Sequence, residues 1–129
     1  MRALIVSAAA VLAIAASTAS AADAPKPERN CFVSNSWQGW SAPGDSDFLL
    51  LRVSGRDIWR VDLTPGVHVN KSPNRFLVNE MRGSTWICSA IDLDLTLSDR
   101  DGFRQPLIAK SLRKLTPEEI AVVPPRDLP

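Results

Sequence analysis

Phe48-Leu49-Leu50-Leu51-Arg52-Val53-Ser54-Gly55-Arg56-Asp57-Ile58-Trp59-Arg60-Val61-Asp62-Leu63 is the stretch that decides the fold. Its first six residues, apolar but for Arg52, are strand-like. Ser54-Gly55-Arg56-Asp57 has the composition of a turn. From Ile58 onward apolar and polar residues alternate, with Trp59, Val61 and Leu63 on one face. Two strands joined by so short a turn make a β-hairpin. Arg60 and Asp62 face the other side, which should be the wetter one.

Downstream, Thr64-Pro65-Gly66 ends the second strand. A polar stretch then runs to Asn74 and holds the only histidine, His68. Arg75 to Met81 suits a short strand, and Arg82-Gly83-Ser84 a turn. Thr85 to Ser98 carries the longest apolar pattern. Ile91, Leu93, Leu95 and Leu97 share one parity, with Asp92, Asp94, Thr96 and Ser98 opposite. Trp86 and Cys88 have the other parity. Both sets point inward only if the strand is broken near Ser89-Ala90. Asp99-Arg100-Asp101-Gly102 reads as a turn. Residues 106–115 fit either a helix (Ile108, Leu112, Leu115) or a strand (Leu107, Ala109, Leu115). Thr116-Pro117-Glu118-Glu119 is a sharper signal. Thr116 can cap, Pro117 suits the first helical position, and Glu119 completes a capping box. Pro124-Pro125 stops that helix, and residues 124–129 are expected to be an extended tail.

Upstream, Cys31, Val33 and Trp37 share a parity, which suggests a first strand that is broken. Pro43-Gly44-Asp45 marks a turn. Five or six short strands with turns between them predict an all-β domain over residues 30–123. The expected form is a small antiparallel sheet curled into a partly open barrel, or alternatively a β-sandwich, with a short C-terminal helix.

The start of the chain has the layout of a secretory signal peptide over residues 1–21. Met1-Arg2 is positive, Ala3 to Ala16 is uncharged and apolar, and Ala19-Ser20-Ala21 fits the cleavage pattern. Cleavage is expected after Ala21, with Ala22 as second choice. The apolar run is shorter than the about 20 residues of a spanning helix. Pro27-Glu28-Arg29-Asn30 before Cys31 is unlike a lipoprotein cleavage box. No membrane anchor is therefore expected after cleavage. Residues 22–29, with two prolines among polar residues, read as a flexible leader.

Removing Arg2 with the signal leaves 14 basic against 14 acidic residues. A neutral chain does not read as a nucleic-acid binder. Arg52, Arg56 and Arg60, and Lys110, Arg113 and Lys114, read as solvated surface. Two cysteines in an oxidising compartment suggest a disulfide, Cys31 with Cys88; the alternative is two buried free thiols.

Candidate chemistry is sparse. Cys88 with His68 would make a thiol nucleophile and base only if the thiol were free. No G-x-S-x-G marks a nucleophile elbow. Asp92 and Asp94, with Asp62, could share a hard cation, but alternating aspartates read first as a strand's solvent face. No cofactor-binding motif is present, and two cysteines do not make a zinc set. Trp59 and Trp86 sit in apolar patterns and are expected in the core. Trp37 and Trp40 flank Gln38-Gly39 and are the candidate contacts for a partner.

The order of Asn30-Cys31-Phe32, Gly39-Trp40, the hairpin 51–63, Ile87-Cys88-Ser89-Ala90-Ile91-Asp92-Leu93-Asp94-Leu95 and Leu115-Thr116-Pro117-Glu118-Glu119-Ile120 resembles a proteobacterial family of small exported proteins. Some of that family carry a lipid anchor, and its domain has no assigned function. The resemblance covers about residues 30–126 and implies a periplasmic setting and a strand over residues 106–112. Family members often carry two further cysteines, near the positions of His68 and Pro106. Their joint absence here implies that Cys31 and Cys88 are the remaining pair. The functional expectation is a non-catalytic periplasmic module that binds a protein or a small molecule. The alternative is a small hydrolase or thiol-redox enzyme.

Overall fold

The computed structural model describes residues 30–129, so the expected signal peptide (1–21) and leader (22–29) lie outside the described residues. Strands β1 (Phe32–Val33), β2 (Trp37–Ser41), β3 (Phe48–Val53) and β4 (Asp57–Leu63) come first. They are followed by β5 (Arg75–Asn79), β6 (Trp86–Ile87), β7 (Leu95–Asp99), β8 (Arg104–Leu107) and β9 (Ala109–Lys114). Helix α1 (Pro117–Val122) closes the series. The fold is all-β with a short C-terminal helix. The strands are divided among three antiparallel sheets, ordered β2-β3-β4-β9, β5-β7-β8 and β1-β6, without a closed barrel.

The β3–β4 hairpin is the framework. Ser54 (φ 50°) and Gly55 (φ 83°) turn the chain through the left-handed region, the backbone state that a tight hairpin needs and that glycine adopts without a steric penalty. Leu49 lies opposite Val61, and Leu51 opposite Trp59. These four, with Val53 and Leu63, face the main core. Leu95, Leu97 and Leu107 of the three-stranded sheet, Phe32 and Ile87 of the two-stranded one, and Ala42, Val69 and Leu93 from the connections complete it. Trp59 packs its ring against Phe32, with centroids 5.0 Å apart.

Leu50 and Ile58 point away from that core and make a second cluster with Leu115, against which Phe48, Ile120, Val123 and Leu128 pack. The four-stranded sheet is thus covered on both faces. That explains why Phe48 to Leu51 is a continuous apolar run and does not alternate.

Helix α1 begins as its sequence signal predicts. The Thr116 hydroxyl accepts from Glu119 N–H, and the Glu119 carboxylate accepts from Thr116 N–H. The following residues differ from the expected extended tail. Pro125–Asp127 form a 3-10 turn, and the segment docks. The Ser41 hydroxyl donates to the Asp127 carbonyl at 2.5 Å, and the Arg52 guanidinium to the Pro129 carbonyl at 2.6 Å. Leu128 anchors it by burying apolar surface on the second cluster.

Residues 85–98 are not one strand. The chain leaves β6 after Ile87 and makes a 3-10 turn at Ala90–Asp92 before β7. The turn is held by a capping box between Ser89 and Asp92. The break falls where the parity conflict put it, and it changes two expectations. Ile91 does not join the leucine face; it is 91% exposed. Trp86, expected in the core, is 46% exposed. In β6 it is Ile87, paired with Phe32, that faces inward, which turns Trp86 and its partner Val33 outward. Cys31 and Cys88 occupy the next opposed position of the same ladder and are joined in a disulfide, Cα to Cα 4.1 Å. The ambiguous segment 106–115 is strand, not helix: β8 and β9, with Ile108 between them.

Candidate functional site

In a regular strand, residues three apart point to opposite faces. Trp37 and Trp40 do not. β2 carries a bulge between Trp37 and Gly39, with Trp37 opposite Val53 and Trp40 opposite Leu51. The extra residue, Gln38, restores the parity, so both indoles lie on the face that carries Val53 and Leu51. Both pack partly buried against the main core. The rest of each ring lines an open groove of about 500 Å³. β2 and β5 are the edges of their respective sheets. Trp37, Gln38, Gly39 and Trp40 form one wall, Leu77, Asn79 and Met81 the other, and Ser34 and Asn35 also line the groove. Its size falls in the range of about 300–1,000 Å³ typical of small-ligand sites.

Local hydrogen bonds fix the polar groups. The Trp37 indole N–H donates to the Gly39 carbonyl at 2.7 Å. The Gln38 side-chain oxygen accepts from Gly55 N–H at 2.9 Å. The Asn79 side-chain oxygen accepts from Asp94 N–H at 2.9 Å. Lys71 donates to the Trp40 carbonyl at 2.7 Å while its ammonium sits 5.5 Å from the centre of the Trp40 ring. None of the residues lining the groove is charged.

The other sequence candidates do not converge. Cys88 is bonded to Cys31, so it offers no thiolate to His68. The exposed His68 ring lies 3.3 Å from the Asp45 carbonyl. Asp92 accepts from Cys88 N–H, Ser89 N–H and the Ser89 hydroxyl, and the two backbone bonds are what chiefly hold its carboxyl below the ordinary value. Asp94 pairs with Arg82 at 2.5 Å. Asp62 accepts from Arg60 at 2.7 Å and from the Ser111 hydroxyl at 2.6 Å. Burial raises the Asp62 pKa, but these two partners together with the charge of Arg113 outweigh it and the net shift is downward. Among the described residues, no three His, Cys, Asp or Glu side chains gather to hold a metal ion.

Sequence reasoning found one wall of the groove and missed the other. Gly39 inside a strand pattern was the available signal for the bulge. The parity of Leu77 and Asn79 in β5, continued by Met81 just beyond it, shows that they share a face, but nothing local says that this face meets β2. Comparison with protein-family models, with curated proteins and with solved structures gave no match.

Proposed function

We propose that the protein is an exported, periplasmic, non-catalytic binding module, and that the groove between β2 and β5 receives its partner. One observation carries the reading: a bulge places two partly buried indoles on the same face, lining an open groove with no charged residue. Aromatic side chains that are rigid and partly desolvated before binding give large contact area at little entropic cost. The Cys31–Cys88 bond fits an oxidising compartment. The signal-like start of the sequence and the resemblance to exported proteobacterial proteins supply the periplasmic address.

Site-specific photo-crosslinking in intact cells tests this. A photoreactive residue at Asn35 or Gln38, both exposed on the groove, should give a discrete adduct. The same residue at the exposed Lys110 on β9 should not. Equal labelling at all three positions, or none at any, would remove the groove from consideration.

A further inference from the structure

We infer that the groove takes an uncharged oligosaccharide, held by stacking on Trp37, by contact with the neighbouring Trp40, whose ring also carries Lys71, and by hydrogen bonds to side-chain amides. This rests on the reading of the groove as the binding site and names its ligand class. Three observations lead to it.

The first is the state of the β2 edge. An open strand edge ordinarily invites an extended peptide to add as a new strand. Here the ladder is interrupted by the bulge, the Gly39 carbonyl accepts from the Trp37 indole, and the Trp40 carbonyl accepts from Lys71. Bulges and lysines are the devices that keep an edge from pairing. A ligand that meets β2 must therefore be recognised by side chains and not by a backbone ladder.

The second is the polarity. The four other clefts described all contain charged side chains, and this one has none. An ionic ligand would lose its hydration without gaining a counter-charge from the lining residues, and the cation beside Trp40, Lys71, is already held by the Trp40 carbonyl.

The third is the pattern of free groups. The oxygens of Gln38 and Asn79 are held by backbone N–H groups, which orients both amides and leaves their NH₂ donors for a ligand. The Trp37 indole N–H is already used, so that ring offers its apolar surface alone. A pyranose ring is the complement. Its axial C–H groups form an apolar, weakly positive patch that suits the negative face of an indole. Its rim of hydroxyl or acetamido oxygens supplies acceptors to fixed amide donors.

The experiment is a titration of residues 22–129 with two neutral probes, N-acetylglucosamine tetramer and maltotetraose, read on the four indole N–H signals in a proton–nitrogen correlation spectrum. At least one probe should move the Trp37 and Trp40 signals saturably and leave those of Trp59 and Trp86 in place. The midpoint should not change between low and high salt, because no ion pair forms. Trp37→Ala should weaken binding by about tenfold or more, as for an anchoring aromatic. Because Trp37 also packs on the core, Asn35→Ala, which removes a further side-chain amide lining the groove, serves as a second variant. It is exposed and should weaken binding with an unchanged melting curve. Three results would each overturn the inference. One is that neither sugar moves an indole signal. Another is that the sugar moves Trp86 in place of the groove pair. The third is that an uncharged extended peptide saturates the Trp37 and Trp40 signals while the sugars do not. The last would leave the groove as the binding site and change only its ligand class. Absence of sugar binding together with failed crosslinking from Asn35 and Gln38 would remove both.

Discussion

Glu119 shows how much one residue can hold. Its carboxylate accepts from Arg113 at 2.9 Å and from Thr116 N–H at 2.9 Å, so helix α1 is capped and pinned to β9 by the same group. The Arg113 hydrogen bond and then the Thr116 N–H pull its pKa down from the ordinary 4.5 to about 2. A carboxyl depressed on folding is more readily protonated in the unfolded chain, so its stabilisation is complete above 4.5 and is lost as pH falls toward 2. Glu119→Gln should lower the melting temperature at pH 7, and the difference from the parent should vanish by about pH 2. Thermal melts across that range check it. A constant difference at every pH would mean that the charge is not what acts. The capping box was legible in the sequence because it needs only Thr116, Pro117 and Glu119, three neighbours. The exposure of Trp86 was not, because a tryptophan's hydrophobicity does not say which of two strand faces wins. That was settled by Ile87 and its distant partner Phe32.

At the scale of elements, β1 and β6 are two residues each and could not hold together alone. The ladder hydrogen bonds of so short a pair return too little to offset the entropy of ordering it. The disulfide makes up the difference, closing a separation of 57 residues. Chain entropy gives roughly 4 kcal/mol for such a loop, and loss of a native disulfide typically costs about 2–5 kcal/mol. Reduction, or replacement of both cysteines by alanine, should therefore lower the melting temperature by roughly 10 °C or more. Scanning calorimetry with and without reductant measures it, and an unchanged transition would show that the two strands need no clip. The elements were legible in proportion to how local their causes are. The hairpin is written in sixteen consecutive residues, and the break in 85–98 in a clash of parities. The β2 bulge, which makes the candidate site, left only Gly39 as a trace. It is fixed by register against β3, which no local pattern encodes.

For the whole molecule, the decisive feature is that the four-stranded sheet buries an apolar cluster on each of its two faces. Its second face, with Leu50, Ile58 and Leu115, is covered by the chain after Thr116. Removing residues 117–129 should expose that cluster, lower the melting temperature, and produce binding of a hydrophobic dye that the full chain lacks. Retained stability without dye binding would show that the segment only rests there. The continuous run Phe48 to Leu51 fits burial on both faces, but the alternation of residues 58–63 pointed to a wetter second face, and the identity of the cover was illegible, since a cover from anywhere in the chain satisfies the same pattern. The pairing of β4 with β9 carries a consequence for biogenesis. Synthesis delivers β4 long before residues 109–114 exist to flank it. The hairpin must wait with a bare apolar edge, open to the same strand of a neighbouring nascent chain. The sheet that makes the finished molecule stable is thus the part most in need of an escort while the molecule is being made.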